Sequence, residues 1–162
     1  MRVMNIVYKP IGVIHSPFDN LKEMPIQPTS DASRPGTVEI YSEFVEGLKD
    51  LEGFSHIYLI YHLHKIRKSR LLVIPFLDKE PHGIFTTRAP SRPNPIGLSL
   101  VKIVRLEGNL IHIDKLDILD ETPLLDIKPY VPDFENVRSV RTGWLKRTKG
   151  QIRTRKSDDR FK

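Results

Sequence analysis

Two proline-punctuated segments constrain this chain more than anything else in it. The first is Thr87-Arg88-Ala89-Pro90-Ser91-Arg92-Pro93-Asn94-Pro95-Ile96-Gly97-Leu98-Ser99. The second is Asp117-Ile118-Leu119-Asp120-Glu121-Thr122-Pro123-Leu124-Leu125-Asp126-Ile127-Lys128-Pro129-Tyr130. Each proline fixes its own φ and removes a backbone donor, so neither segment suits the interior of a helix. Charged side chains set between such fixed points build a rigid polar site on loops, which a chain does not need merely to fold.

Around these segments the pattern is that of short strands. Val7-Tyr8 through Ile14 is rich in β-branched residues and ends at Ser16-Pro17. Thr37 to Tyr41 reads as a second strand. Ser42 caps an expected short helix over 43–51, where Phe44, Leu48 and Leu51 recur at helical spacing and Gly53 ends the run. From Phe54 to His64 the chain alternates, with Ile57, Leu59, Tyr61 and Leu63 on one face and His56, Tyr58, Ile60, His62 and His64 on the other. A basic turn over 65–70 leads into Leu71 to Ile74. Leu98 to Leu106 and Leu110 to Leu116 form an expected hairpin about Glu107-Gly108-Asn109. Several short strands with turn signals and one or two short helices predict a mainly β chain, a small antiparallel barrel. No Gly-x-Gly-x-x-Gly follows a strand, so a Rossmann-type, doubly wound nucleotide fold is not expected.

At 162 residues the chain is long enough for one domain, burying roughly 70% of its unfolded surface. It has no cysteine, which excludes thiolate chemistry, disulfides and Cys-containing zinc sites. No apolar run approaches the roughly 18 residues of a membrane span, and Lys9-Pro10 interrupts any signal-peptide core, so a cytoplasmic protein is expected. The charge is unevenly placed. Residues 138–162 hold ten Lys/Arg against two Asp, a local +8, while the other 137 residues sum to −2. The chain therefore divides into a barrel over 1–137 and a basic tail over 138–162, whose charge suits either a polyanionic partner or a solvated, solubilising segment.

The strings Arg92-Pro93-Asn94-Pro95-Ile96-Gly97 and Asp126-Ile127-Lys128-Pro129-Tyr130 are highly specific, and two further strings accompany them: Ile11-Gly12-Val13-Ile14-His15-Ser16-Pro17 upstream and Leu51-Glu52-Gly53-Phe54-Ser55-His56 between. Together they resemble the TsaA-like (YaeB-like) family over most of residues 8–132. Characterised members use S-adenosyl-L-methionine to methylate N6 of threonylcarbamoyladenosine at position 37 of tRNA. The resemblance implies a small TsaA-like β-barrel that pairs into a homodimer, with cofactor pockets close to the subunit interface. Carried over, the family's cofactor contacts fall on Pro25, Ile26, Gln27, His64, Lys65, Arg88, Leu98, Asp120, Glu121, Thr122 and Pro123. Two positions depart from the family pattern. Ile26 stands where Arg is common, and Glu121 stands where Gly is common, a strained exchange if that position needs φ > 0.

Methyl transfer from a sulfonium is an in-line displacement whose main demand is geometric. The amino-acid end of such a cofactor wants an Arg or backbone N–H groups beside an Asp, and Arg88, Arg92, Asp117, Asp120 and Asp126 supply those groups. The adenine end wants an apolar slot, available at Leu98 and Leu119–Pro123. The acceptor nitrogen is a delocalised ureido nitrogen whose proton has to leave, and Asp126, Asp120 and Tyr130 are the candidate bases. Arg92, Asn94, Lys128 and Tyr130 are candidate substrate contacts, Tyr130 by stacking on a base and Lys128 by meeting a phosphate. Simpler roles exist for each: ion pairs for the arginines, a turn for Asn94, packing for Tyr130, and a tail anchor for Trp144. His62 and His64 share a strand face, but with no Cys nearby no metal site is expected. The same features leave open a methyltransferase of another RNA or small molecule, or a barrel that binds nucleic acid without catalysis.

Overall fold

The computed structural model describes residues 4–22, 24 and 31–148. Six strands close into the expected antiparallel barrel. In chain order the strands of the molecule are β1 (Gly12–His15), β2 (Arg34–Ile40), β3 (His56–His62), β4 (Leu72–Val73), β5 (His82–Gly83), β6 (Ile96–Glu107), β7 (Leu110–Leu116) and β8 (Thr122–Pro129). Around the barrel the order is β1-β2-β7-β6-β3-β8, and β8 pairs back onto β1. Closure leaves no unpaired barrel edge to recruit another chain. β4 and β5 form a separate two-stranded sheet.

Alternation fills the interior. Ile57, Leu59 and Tyr61 of β3 face inward with Ile14, Val38, Ile40, Val101, Ile111, Ile113, Leu116, Ile118 and Leu124. Nearly all of these have essentially no solvent exposure, and each side chain so buried is worth roughly 1.5–3 kcal/mol relative to exposure. A second, smaller cluster of Val73, Ile84 and Ala89, with Phe76 against it, sits under the β4–β5 lobe.

Three sequence expectations are corrected. The helix over 43–51 is not α-helical: Ser42–Leu48 and Leu51–Gly53 are 3-10 turns, broken where Asp50 takes φ 66°. The first strand does not begin at Val7-Tyr8, which are 88% and 69% exposed, because its partners begin only opposite Gly12. Lastly, residues 122–129 are not a loop but β8, the strand that closes the barrel. Its prolines stand near its two ends, at Pro123 and Pro129, where the missing ladder donors cost least. Between Ile60 and Tyr61 of β3 the register jumps from Asp126 to Leu124, so Leu125 is an extra residue. This bulge inverts the alternation: Thr122 and Leu124 face in, then Ile127 faces in, and Asp126 and Lys128 face out.

Beyond the barrel, Pro132–Glu135 makes one short α-helical turn and Gly143–Thr148 a 3-10 turn.

Candidate functional site

The ends of β3 and β7 and the start of β8 frame a pocket at one mouth of the barrel. It holds about 340 Å³ of space open to solvent, and its walls come from Tyr61, Leu63, His64, Lys65, Ile66, Pro90, Asp117, Ile118, Leu119, Thr122, Leu21 and Met24. The mix of apolar walls with a few polar groups is typical of small-molecule sites. Five of these residues were expected in a cofactor site by sequence: His64, Lys65 and Thr122, with Leu119 as part of the apolar slot and Asp117 among the candidates for the amino-acid end.

His64 sits at the junction of both signature regions. Thr122 Oγ1 donates to the Leu119 carbonyl at 2.7 Å and lies 3.3 Å from His64 Nδ1. With the hydroxyl proton committed to Leu119, His64 Nδ1 has to donate, which leaves Nε2 as an acceptor. Burial, aided by the positive Lys65, holds the imidazole below its ordinary pKa. At neutral pH the pocket therefore presents a neutral acceptor nitrogen.

Asp117, the residue after the last apolar side chain of β7, is the one carboxylate among the described residues of the pocket wall. Ser99 Oγ donates to its Oδ1 at 2.7 Å, and the Tyr61 hydroxyl lies 3.0 Å from Ser99 Oγ. Since the Ser99 proton goes to Asp117, Tyr61 supplies its own to Ser99. Burial pushes the Asp117 carboxyl up to about 7, opposed by the Ser99 bond and by the charge of Arg88. Burial likewise raises the Tyr61 hydroxyl above its ordinary value. Gly97 is what allows this arrangement, because any Cβ there would overlap the Tyr61 ring.

The other expected residues are dispersed. Arg88 is exposed and forms no ion pair or side-chain hydrogen bond with the described residues, yet its charge reaches Asp117, Tyr61 and Tyr58. Arg92 holds the backbone together: its Nη1 donates to the carbonyls of Thr87, Ile84 and Ala89 at 2.8, 3.2 and 3.4 Å, clamping a loop that has no sheet to hold it. Asn94 forms a turn, its carbonyl accepting the Ile96 amide at 2.8 Å. Asp120 accepts the Ser16 amide at 2.9 Å, while its own amide donates to the Phe18 carbonyl, stitching the chain after β1 to the turn before β8. Glu121 does take a positive φ, 59°. Its Oε1 lies 3.2 Å from His15 Nδ1, and His15 Nε2 lies 2.9 Å from Glu39 Oε2. The Glu39 bond, reinforced by the surrounding carboxylates, raises the His15 pKa. Among the described residues His15, Asp120 and Glu121 are the group whose ligand atoms approach within 4.8 Å of one another, and a protonated His15 satisfies the same charge.

Leu98, Asp126, Lys128 and Tyr130 share the outer wall of β6, β3 and β8, across the barrel wall from the pocket. Leu98 is 50% exposed and stands opposite Ile60, which stands opposite Asp126. Lys128 Nζ pairs with Asp126 Oδ2 at 2.8 Å. The Tyr130 ring meets Tyr58 and His56 edge-on, with centroids 6.0 and 6.3 Å apart. Pro123 lies on β8 opposite Val13. Pro25, Ile26 and Gln27 lie outside the described residues. Trp144 serves as an anchor: its ring stacks on His82 at 4.4 Å and its Nε1 donates to the Thr86 carbonyl at 3.0 Å.

Sequence reasoning named Asp117 only as one of several acids. Its place one residue past an inward-facing strand end, 18 residues after an inward serine, is the clue that separates it from the others.

A model of the tRNA-methyltransferase O N-terminal domain matches residues 13–136. A probable S-adenosyl-L-methionine-binding protein of Pyrococcus abyssi is 53% identical over 156 residues, covering 96% of this chain and 85% of that protein. The tRNA (adenine(37)-N6)-methyltransferase of Mus musculus is 34% identical over 143 residues, which is 84% of this chain but 33% of that enzyme. A crystal structure of TrmO from Pseudomonas aeruginosa superposes with a TM-score of 0.71 at 36% identity, covering 87% of this chain and 63% of that one. The chain thus spans less than two thirds of that structure.

Proposed function

Because the chain belongs to the tRNA-methyltransferase O N-terminal domain family, we propose that it is an S-adenosylmethionine-dependent methyltransferase acting on N6 of the adenine at position 37 of tRNA, in its threonylcarbamoylated form. The observation that carries this reading is the pocket itself. Pro90 of the first signature segment and Asp117, Ile118, Leu119 and Thr122 of the second meet the end of β3 at one barrel mouth, and together they combine an apolar slot with His64, Lys65, Thr122 and Asp117.

When bound, S-adenosylmethionine supplies a methyl group on a sulfonium. This chain's part is to bind, orient and exclude water. Leu63, Ile66, Pro90, Ile118 and Leu119 form the dry walls. The Nε2 acceptor of His64 orients a donor such as a nucleoside hydroxyl or exocyclic amine, and Lys65 and Arg88 bring positive charge to the rim. Pro25, Ile26 and Gln27, by the same family reading, complete the cofactor's surroundings.

Removal of the acceptor proton falls to Asp126, Asp120 or Tyr130, with Lys128, Asn94 and the free edge of Arg92 meeting the substrate. None of these is among the described residues that line the pocket of its own subunit. Leu98, Asp126, Lys128 and Tyr130 stand on the outer wall, so for them to act with the pocket a second subunit has to lay its wall across the mouth. This supports a homodimer. The tail over 138–162, anchored at Trp144, carries the positive charge that a tRNA would meet, and a cytoplasmic location follows from that substrate.

The test is to incubate the protein with methyl-labelled S-adenosylmethionine and tRNA that carries or lacks threonylcarbamoyladenosine, then to analyse the nucleosides. Label in the N6-methylated nucleoside only when the threonylcarbamoyl group is present supports the full reading. Label in another nucleoside moves the substrate elsewhere, and no saturable cofactor binding at all leaves a nucleic-acid-binding barrel.

A further inference from the structure

We propose that Phe85 is a stacking platform for an unpaired base of the RNA substrate, held out to solvent on a turn that separate parts of the chain lock in place. This rests on the tRNA reading and adds one contact to it.

The Phe85 ring is 77% exposed, while Ile84 beside it is 1% exposed and anchors the turn in the small core with Val73 and Ala89. The turn itself, Ile84–Thr86, is a single 3-10 turn directly after β5. Three segments hold its backbone. The Ile84 amide donates to the Leu71 carbonyl at 2.9 Å, Arg92 Nη1 donates to the carbonyls of Ile84 and Thr87, and Trp144 Nε1 donates to the Thr86 carbonyl at 3.0 Å. A ring on a backbone fixed this firmly has little freedom left to lose when a ligand binds.

Charge selects the ligand. The Arg92 guanidinium lies over the Phe85 ring, 6.0 Å from its centroid. Lys65, Arg67, Lys68 and Arg70, on the turn before β4, are exposed and form no ion pair with the described residues. That basic turn is tied to the same loop, since the Arg70 amide donates to the Ser91 carbonyl at 3.0 Å. Trp144 brings the start of the basic tail to the turn as well. A flat apolar ring among unpaired cations fits single-stranded nucleic acid, whose bases stack on the ring while its phosphates meet the charges. A duplex keeps its bases stacked on one another and offers the ring nothing. An isologous contact between two copies of this chain would bring like charges together. The loop that carries Phe85 also supplies Pro90 to the pocket wall, so a base stacked there belongs to a neighbour of the nucleotide that enters the pocket.

The experiment titrates the full chain against a labelled anticodon stem–loop RNA and against a blunt RNA duplex of equal length, by fluorescence anisotropy at several salt concentrations. Phe85→Ala should weaken the stem–loop by about 5- to 100-fold, leave the duplex within about twofold, and keep the parent's salt slope, because no phosphate contact is lost. Phe85→Trp should bind the stem–loop as the parent does. Phe85→Leu, which keeps apolar area but has no π face, should stay weak. Equal weakening of both RNAs, no weakening of either, or parental binding by Phe85→Leu overturns the proposal, as does a parent that binds neither RNA. So does sedimentation showing that Phe85→Ala dissociates a dimer, since the ring would then lie between subunits. Calorimetric titration of the parent with S-adenosylhomocysteine keeps the two readings apart: no binding there refutes the methyltransferase, whereas the comparison of stem–loop with duplex decides the stacking site by itself.

Discussion

Replacing Asp117 by Asn should stabilise the protein, and the gain should grow with pH. The carboxyl rises from 3.8 to about 7 in the folded chain, chiefly through burial. A raised acid binds more protons folded than unfolded across that window, so its presence lowers stability as pH climbs from about 4 to 7, and the penalty is complete above the folded value. Three units correspond to about 4 kcal/mol, an upper bound because the pocket is open to water. Asn keeps an oxygen to accept the Ser99 hydroxyl and carries no charge. The variant should therefore melt close to the parent at pH 4 and above it at pH 8, by up to about 10 °C for a chain of this size. Thermal unfolding of both proteins at pH 4, 6 and 8 measures this. A melting gap that is constant across pH, or a variant less stable than the parent at pH 8, would refute the claim that the folded pocket holds an unwelcome charge. Confirmation would mean that the chain keeps a destabilising residue in its pocket wall, as ligand sites commonly do.

Four further outcomes are expected. Gly97→Ala should destabilise by about 1–3 kcal/mol through overpacking against the Tyr61 ring, read as a lower midpoint in urea; an unchanged midpoint would show that the ring moves freely. Glu121→Gly, measured at pH 9 where His15 is neutral, should stabilise by about 1 kcal/mol by relieving the positive φ, and a lower melting temperature would count against strain. Since the folded His15 is raised above 6.5 by Glu39 and its acidic neighbours, its contribution is full below 6.5 and disappears as pH rises through the folded value. His15→Ala should thus cost more at pH 5.5 than at pH 9, and the reverse order would be inconsistent with that pairing. Deleting residues 149–162 removes six Lys/Arg; every phosphate left without its cation should flatten the plot of log K against log salt for tRNA by about 0.7–0.9. A deletion that leaves affinity and slope as in the parent would make the tail a solubility device.

What the sequence disclosed and what it hid have physical causes. Ile57, Leu59 and Tyr61 could be assigned to one face because β3 alternates without interruption. His64, Lys65 and Thr122 were named from the family's cofactor contacts, and all three line one pocket. β8 was obscured by prolines near both its ends and by an extra residue at its centre, each of which mimics a loop. The Arg92 clamp was hidden for another reason: its partners are backbone carbonyls, which every residue has, and only the folded loop shows which three converge. The 3-10 character of 42–53 was invisible to a hydrophobic spacing that a short helix of either kind satisfies.

The extra residue in β8 has an evolutionary consequence. Upstream of Leu125 the strand obeys one parity, and downstream the opposite one. Losing Leu125 alone would join Leu124, opposite Tyr61, directly to Asp126, opposite Ile60, and keep every facing in a regular ladder, whereas an added or lost residue elsewhere in the strand, with the bulge kept, would reverse the facing of one half. Length changes between Thr122 and Tyr130 should therefore be confined to the bulge at Leu125 among functional descendants of this chain, and libraries built to alter the outer wall should vary composition at constant length on either side of it.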